Sequence, residues 1–240
     1  MTLDLLLSIL PRYTSYSDPA SGVAVINSCA KNAGFISKTI DLNLIFYKEV
    51  FEKDKEVFDE IDNWMAETPE RTIKKSDRTN HREDLSNKAN KEVNKVQAIW
   101  IDKIKKENPI YMGFSIFSPY SIKMAEDFIP IIKKEMPNLK IIVGGPGTTP
   151  FNEFIYNLVD YYVQSEGEKA IVDILNEKGE NSPGVNKNEV VQLDNLDELP
   201  WPDYSDFPLD EYTCKGKLLR VTGTRGCIRR CNFCDVYRLW

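Results

Sequence analysis

Residues 139–147 read LKIIVGGPG, an apolar run that passes directly into a glycine-rich turn. The run Leu139–Val143 has the length of a buried strand. Gly144, Gly145 and Gly147 let the chain turn tightly and let a bulky ligand approach the backbone. A strand that ends in this way is typical of the carboxyl edge of a parallel α/β sheet, where ligands bind. An ordinary tight turn would leave the same pattern, so both interpretations stay open.

Further strands and helices alternate on both sides of this run. Strands are predicted at Leu3–Leu10, Phe35–Leu42, Pro109–Ser118 and Asp160–Val163, and helices at Gly22–Ala33, Ser121–Met136 and from Glu168 to about Glu177. This alternation predicts an open, doubly wound parallel α/β sheet of Rossmann-like type across residues 1–190. No Gly-x-Gly-x-x-Gly pattern follows the first strand, so a dinucleotide site is disfavoured.

A densely charged segment interrupts the alternation between the second and third strands. Within about residues 51–106, Phe51, Phe58 and Ile61 keep rough helical spacing, which predicts helices. We expect a solvated, weakly ordered stretch around Lys74–Asn90. The segment is interpreted as a surface insertion, with a partner-docking arm as the alternative.

A proline-rich stretch at residues 191–214 predicts an extended linker, because proline fixes the backbone and forbids regular helix. Its aromatic residues indicate that it packs along a surface. We therefore place a domain boundary here. Residues 215–240 then begin a second unit, with Leu218–Gly223 as its first strand.

The composition narrows the class of protein. Hydrophobic residues make up 42% and charged residues 28%, which is ordinary for a soluble globular chain. The net charge of -6 disfavours nucleic acid and anionic membranes as partners, and no apolar run approaches the roughly 18 residues of a membrane span. The five cysteines argue against a disulfide framework and for the reducing cytoplasm. A single histidine, His81, excludes mechanisms built on several histidines.

Three of the cysteines, Cys227, Cys231 and Cys234, form the pattern C-x3-C-x2-C. Three thiolates on one short loop favour an iron–sulfur cluster, by softness and charge. With three protein ligands, a 4Fe-4S cluster keeps one iron open to a substrate. A structural zinc site needs four ligands, and only Cys214 and Cys29 remain as further thiols. Zinc stays the weaker alternative.

Around these cysteines the sequence resembles the radical S-adenosylmethionine enzymes. The loop follows a predicted strand, and Phe233 precedes the last cysteine. Upstream, the chain resembles the subgroup with an N-terminal cobalamin-binding domain. That part of the resemblance rests, in order, on Gly113-Phe114-Ser115, Gly144-Gly145-Pro146, Ser165-Glu166-Gly167-Glu168 and Leu199-Pro200-x-Pro202. The cysteine motif is specific, whereas each upstream motif alone is weak.

The resemblance implies a mechanism. The three-cysteine 4Fe-4S cluster takes one electron and cleaves S-adenosylmethionine to methionine and a 5'-deoxyadenosyl radical, and cobalamin carries a methyl group to the substrate radical. A reductant protein such as flavodoxin or ferredoxin is the implied partner. Phe233 is expected near the adenine of S-adenosylmethionine, with a plain core aromatic as the alternative. Apart from the resemblance, the positive charge of Arg225, Arg229 and Arg230 is expected to favour an anionic cluster.

For cobalamin, hydroxyl groups are expected to hydrogen-bond the amide arms or the nucleotide tail. The candidate contacts are Ser115, Ser118, Gly144, Gly145, Gly147, Thr148, Ser165 and Glu166. The sequence lacks Asp-x-His-x-x-Gly, and His81 does not fit that pattern, so we expect no protein histidine on cobalt. A degenerate domain that no longer binds cobalamin is the alternative.

The resemblance also implies a longer protein. Family members continue beyond the cluster loop into a partial (β/α) barrel, whereas this sequence stops six residues after Cys234. We expect a fragment of a longer gene, or a second chain that supplies the rest of the barrel. Two functions compete. One is the N-terminal part of a cobalamin-dependent radical enzyme for methyl transfer or rearrangement. The other is a cobalamin-binding module with a vestigial cluster loop.

Overall fold

A five-stranded parallel sheet organises the part of the chain that the structure describes. The computed structural model covers residues 2–11, 16–66, 82–148, 151–215, 217–232 and 234. The strands are β1 (Leu3–Ile9), β2 (Ser37–Asp41), β3 (Pro109–Ser115), β4 (Lys140–Gly144) and β5 (Tyr161–Tyr162), all parallel and in the order β2-β1-β3-β4-β5. Each strand overlaps a predicted run, so the predicted parallel α/β sheet is confirmed. The strand order reverses between β1 and β3, where such sheets open a ligand crevice.

Helices connect the strands, and side-chain caps decide where several of them begin. They are α1 (Ser21–Asn32), α2 (Leu42–Phe46), α3 (Lys55–Ala66), α4 (Asn87–Glu107), α5 (Pro119–Glu135), α6 (Glu153–Tyr156) and α7 (Glu168–Leu175). Ser86 Oγ accepts the Ala89 N–H at 3.1 Å and so caps α4. The same helix ends at Asn108, whose φ of 47° is left-handed. Helix α5 continues through Pro130.

Both faces of the sheet are covered by helices. Leu5, Leu7 and Ile9 of β1 belong to one core, which they share with α1 and α7. Leu3 and Leu6 belong to a second core, shared with α3, α4 and α5. Strand β1 is therefore apolar along nearly its whole length, as expected for a parallel strand between two helical layers. None of the described helices combines the length and the apolar character that a membrane crossing requires.

The charged segment contributes to the second core. Its helices α3 and α4 bury Ile61, Trp64 and Trp100 to 2% exposure or less. Surface insertion is therefore the wrong description of these helices. Their charged side chains lie on the outer faces, while the helical spacing of the apolar residues builds an inner face that packs towards the sheet.

The beginning of α4 also corrects the expectation of a weakly ordered stretch. Residues 82–90 form a short 3-10 turn at Arg82–Asp84 and the first turn of α4. The Arg82 guanidinium donates from Nε to Asp127 Oδ1 of α5 at 2.7 Å, and a second nitrogen donates to Gln97 Oε1 at 2.6 Å. This buried ion pair fixes the turn on the helical layer. The remainder of the predicted stretch, residues 74–81, lies outside the described residues.

The linker packs on the sheet domain, as its aromatic residues predicted. Phe207 and Tyr212 are buried in the core beside α1. The Tyr212 hydroxyl donates to Asp41 Oδ2 at 2.6 Å, and Lys31 Nζ donates to Asp203 Oδ2 at the same distance. The linker therefore packs against the sheet domain, and its regular structure is limited to short 3-10 turns.

The strand predicted at Leu218–Gly223 does not form. Residues 217–223 are exposed and carry no strand assignment, and Val221 is 56% exposed. The sequence pattern suits a strand, but a strand needs a neighbour for its backbone N–H and C=O groups. No described strand of this chain lies alongside the segment to provide them.

Candidate functional site

A cavity of about 490 Å³ opens at the carboxyl edge of the sheet. It lies beside the ends of β1, β3 and β4, at the place where the strand order reverses. Its size falls within the range of small-molecule sites. Of the residues predicted to contact a cofactor, those that line it are Ser115, Gly144, Gly145, Ser165 and Glu166.

The cavity has an apolar floor and a polar rim. Leu7, Ile9 and Ile142 contribute apolar side chains from the strands. Ser165, at the rim, has a φ of 64°, which is unusual for a residue other than glycine and marks a tightly held turn. An apolar pocket with a few fixed polar groups is the usual form of a site for a cofactor or a small molecule.

Gly145 is required by the turn itself. Its φ is +100°, and a Cβ there would lie 2.7 Å from the Ile116 carbonyl oxygen and 2.9 Å from Ser115 Oγ. The nearby Gly147 would bring a Cβ to 2.7 Å from Ile116 Cγ2. The glycine pattern is therefore explained by close packing of β3 against the turn, whether or not a ligand approaches it.

Three other predicted contacts do not line the cavity. They are Gly147, Thr148 and Ser118. The Thr148 hydroxyl is engaged by the fold, because Oγ1 lies 2.7 Å from the Gly145 carbonyl and 2.8 Å from that of Val163. Ser118 is buried before α5, and its Oγ has no hydrogen-bond partner among the described residues. Phe233 lies outside the described residues.

An ion-pair cluster at the rim was not predicted. Arg225 Nη1 donates to Glu166 Oε1 at 2.7 Å, and its Nη2 donates to Glu168 Oε1. The three side chains are only 13%, 5% and 7% exposed. Burial alone would lower the pKa of Arg225, but the hydrogen bonds and charges of Glu168 and Glu166 raise it above its ordinary value. Arg225 is thus paired with two carboxylates, and the expectation that its charge favours an anionic cluster stays a prediction.

Sequence reasoning could not pair these residues. Arg225 lies 59 positions from Glu166 and 57 from Glu168. The only local signal is the Ser165-Glu166-Gly167-Glu168 turn, which places two acidic residues at the start of α7. Acidic residues there also suit the positive end of the helix dipole, so the pattern alone names no partner.

The three motif cysteines lie in a loop that follows Arg225. Cys227 is exposed, while Cys231 and Cys234 are half-buried. The donor set suits an iron–sulfur cluster, since three thiolates stand within eight residues. Among the described residues, however, no three Cys, His, Asp or Glu side chains converge as a metal-binding group.

The remaining cysteines have different surroundings. Cys29 is buried in α1. Burial is the main reason that the pKa of its thiol is raised to about 12, and the negative charge of Glu168 adds to the effect. Cys214 is half-buried, with its sulfur 4.0 Å from the Leu218 carbonyl oxygen. Neither cysteine belongs to the motif loop.

Comparison with known proteins gives one curated relative and two solved structures of interest. No family model matches the chain. The chain is 31% identical over 151 residues to the uncharacterized methyltransferase PH0819 of Pyrococcus horikoshii, an alignment that covers 55% of this chain and 32% of the relative. The chain therefore spans about a third of that relative's length.

The two structures are of TsrM, a radical S-adenosylmethionine methyltransferase from Kitasatospora setae. One, with tryptophan substrate and a S-adenosylmethionine analogue bound, has a TM-score of 0.41 and 16% identity, covering 75% of this chain and 28% of that chain. The other, with cobalamin and a [4Fe-4S] cluster bound, has a TM-score of 0.41 and 14% identity, covering 84% and 31%. At this level of similarity, the two structures carry no conclusion about the fold or the function of this chain.

Proposed function

We propose that this chain is the N-terminal part of a cobalamin-dependent radical S-adenosylmethionine methyltransferase. In this proposal the cavity holds cobalamin, and Cys227, Cys231 and Cys234 hold a 4Fe-4S cluster that binds S-adenosylmethionine. The substrate that receives the methyl group is not specified by these residues.

One observation carries the proposal: the cysteine loop leaves directly from the wall of the cavity. Thr222, Thr224, Arg225 and Gly226 line the cavity, and Cys227 follows at once. A metal centre on this loop would therefore stand beside a ligand in the cavity. Such proximity is what a reaction between two cofactors requires. The name of the Pyrococcus relative supports the methyl-transfer part.

The lining suits the part of a large, mostly neutral cofactor that enters it, because about 490 Å³ is less than a whole cobalamin occupies. Leu7 and Ile9 offer apolar contact, and Ser115 and Ser165 offer polar groups at the rim. The one described arginine of the rim, Arg225, is occupied by carboxylates. When bound, cobalamin would supply a transferable methyl group, and the cluster would supply an electron. The protein's own part is to hold both cofactors and exclude water.

A cobalamin-binding module without turnover is the second candidate. The arrangement of the motif cysteines favours this candidate, because their thiols do not converge on one point among the described residues. Iron content after anaerobic reconstitution separates the two candidates, since only the enzyme needs the cluster.

Hydroxocobalamin binding to the full chain tests the proposal through the variant Gly22→Trp. Gly22 lines the cavity in the first turn of α1, and a Cβ there has open space around it. The indole should enter the mouth of the cavity without disturbing the core. We expect wild type to bind at micromolar concentration and the variant to bind at least ~10-fold more weakly, a loss of about 1.4 kcal/mol. Absorbance titration measures both affinities.

The matched control is Asn32→Trp, at the exposed end of the same helix and outside the cavity. It should bind like wild type. Absence of micromolar binding by wild type would refute the proposal. Equal binding by wild type and Gly22→Trp would place the cofactor elsewhere. A nitrogen splitting from a protein imidazole in the resonance spectrum would contradict the expected absence of a histidine on cobalt.

A further inference from the structure

We propose that Arg225, held between Glu166 and Glu168, is a latch that fixes the cysteine loop against the rim of the cavity and couples the two sites. Here the cysteine loop means residues 222–234. Arg225 acts as a positioning residue, since it would touch neither the metal nor the reacting atoms. Only the coupling part rests on the proposed function.

The position of the latch suits this role. Arg225 stands two residues before Cys227, while Glu166 and Glu168 flank Gly167 at the start of α7. All three charged side chains are nearly buried. A buried charge that loses its partner is strongly unfavourable. We therefore expect two states: the loop is docked with both ion pairs formed, or it leaves the rim and exposes all three charges to water. The guanidinium fork also holds two carboxylates at once, which a lysine does not do equally well.

Other contacts of the loop are weaker. Ile228 is fully exposed, and Cys227 is exposed as well. Arg220, just before the loop, donates from Nε to Asp18 Oδ2 at 2.7 Å, but the arginine side chain is 60% exposed. Its partner Asp18 is only 4% exposed, so this half-buried pair holds the chain just before the loop. Within residues 222–234, the Arg225 cluster is the main described attachment to the rest of the chain.

The latch is also part of the cavity wall. Arg225, Glu166 and Glu168 all line the cavity. Glu166 Oε2 additionally accepts the backbone N–H of Leu193, at the start of the linker. A ligand that contacts this wall stabilises the docked loop, and a metal that orders the loop stabilises the wall. Because the two binding equilibria are linked, the ligand and the metal must raise each other's affinity by the same factor.

The test needs a variant that removes the latch without leaving buried charges. Arg225→Met alone would strand two carboxylates and could unfold the chain. The triple variant Arg225→Met, Glu166→Gln, Glu168→Gln is neutral at all three positions. Arg225→Lys keeps the charge but loses the fork, so it should give an intermediate result. Lys217→Met is the control, because Lys217 is exposed and outside the cavity lining.

Trypsin cleavage without any cofactor tests the attachment. Arg229 and Arg230 are exposed cleavage sites in the loop, and the protease can bind the chain there only when the loop leaves the rim. Cleavage after these residues should be at least ~10-fold faster in the triple variant than in wild type, because local opening then costs less free energy. Lys217→Met should match wild type, and Arg225→Lys should lie between. An unchanged cleavage rate in a folded triple variant would overturn the latch.

Affinity measurements test the coupling. We expect hydroxocobalamin to bind wild type at least about 5-fold more tightly after anaerobic iron reconstitution than before it, within the usual range of coupling between sites. In the triple variant this ratio should fall to about 1. A ratio of 1 in wild type, or an unchanged ratio in the triple variant, would overturn the coupling. If neither protein binds hydroxocobalamin, the proposed function and the coupling fail, whereas the cleavage experiment still decides the attachment.

Discussion

Burial separates Cys29 from the three cysteines of the C-x3-C-x2-C motif. Its thiol pKa of about 12 keeps the group protonated at neutral pH, because burial and the nearby Glu168 carboxylate both disfavour a thiolate. Iron and zinc bind the thiolate. Cys29 is therefore a packing residue of α1, whereas the motif cysteines lie on an exposed to half-buried loop.

At this scale we predict that only the motif cysteines are needed for iron. After anaerobic reconstitution, Cys227→Ala, Cys231→Ala and Cys234→Ala should each lose most of the iron bound per chain, since each removes a cluster ligand. Cys29→Ala and Cys214→Ala are the matched controls and should retain it. Iron and sulfide analysis gives the answer. If Cys214→Ala loses iron as fully as Cys231→Ala, the site has four cysteines and the open iron of the proposal must be dropped.

The linker is held to the sheet domain by hydrogen bonds as well as by its buried aromatic residues. Asp206 accepts hydrogen bonds from Asn27 Nδ2 at 3.2 Å and from the Thr39 backbone N–H at 3.1 Å. Together with the Tyr212–Asp41 hydrogen bond, these contacts attach the linker to α1 and β2. The linker therefore sets where the cysteine loop begins.

Acid should weaken this attachment through Asp203. Burial alone would raise the pKa of Asp203, but hydrogen bonds from Lys31 and Ser205 hold it at about 2. A lowered carboxyl pKa stabilises the fold above the unfolded value near 3.8 and loses that effect as pH falls towards about 2. We expect Asp203→Asn to lower the free energy of unfolding by on the order of 1 kcal/mol at pH 7.

Urea unfolding of wild type and variant across pH 7 to 2 checks this expectation. The difference between the two proteins should shrink below pH 4 and be largely lost near pH 2. Asp210→Asn, at an exposed position of the same linker, should show no such dependence. A pH-independent difference for Asp203→Asn would mean that the ion pair with Lys31 is not its cause.

At the scale of the whole molecule, the sheet lies between two unequal helical layers. Helices α1 and α7, with the linker, cover the face that leads to the cavity. Helices α3, α4 and α5 form the other layer, where α3 packs against both α4 and α5. The charged segment is thus a structural layer on the face away from the linker.

Substitution in α3 tests this arrangement. Ile61 is fully buried, so Ile61→Ala should lower the free energy of unfolding by about 2–5 kcal/mol through lost burial and a residual cavity. Asn63→Ala, exposed on the same helix, should stay within about 0.5 kcal/mol of wild type. Chemical denaturation measures both. If both variants changed the free energy of unfolding by equally small amounts, α3 would not be part of the core.

The sequence by itself located all five strands, the α1, α5 and α7 helices, the packed linker and the cysteine loop. These features depend on short runs of apolar residues, on glycine turns or on the spacing of a few neighbouring cysteines. Such signals are local, because they arise from hydrophobic periodicity and backbone sterics within a dozen residues. Five of the eight candidate cobalamin contacts also fell on the cavity, since parallel strands bring their carboxyl ends to one edge.

Only the tertiary structure decided the rest. Leu218–Gly223 has the sequence of a strand but no partner strand, and hydrogen bonds to a partner are what make a strand. The inner faces of α3 and α4 became visible only when they packed on the sheet. Arg225 met Glu166 and Glu168 because the fold brought distant segments together. Long-range contacts depend on where elements pack, and no periodicity within one element records that.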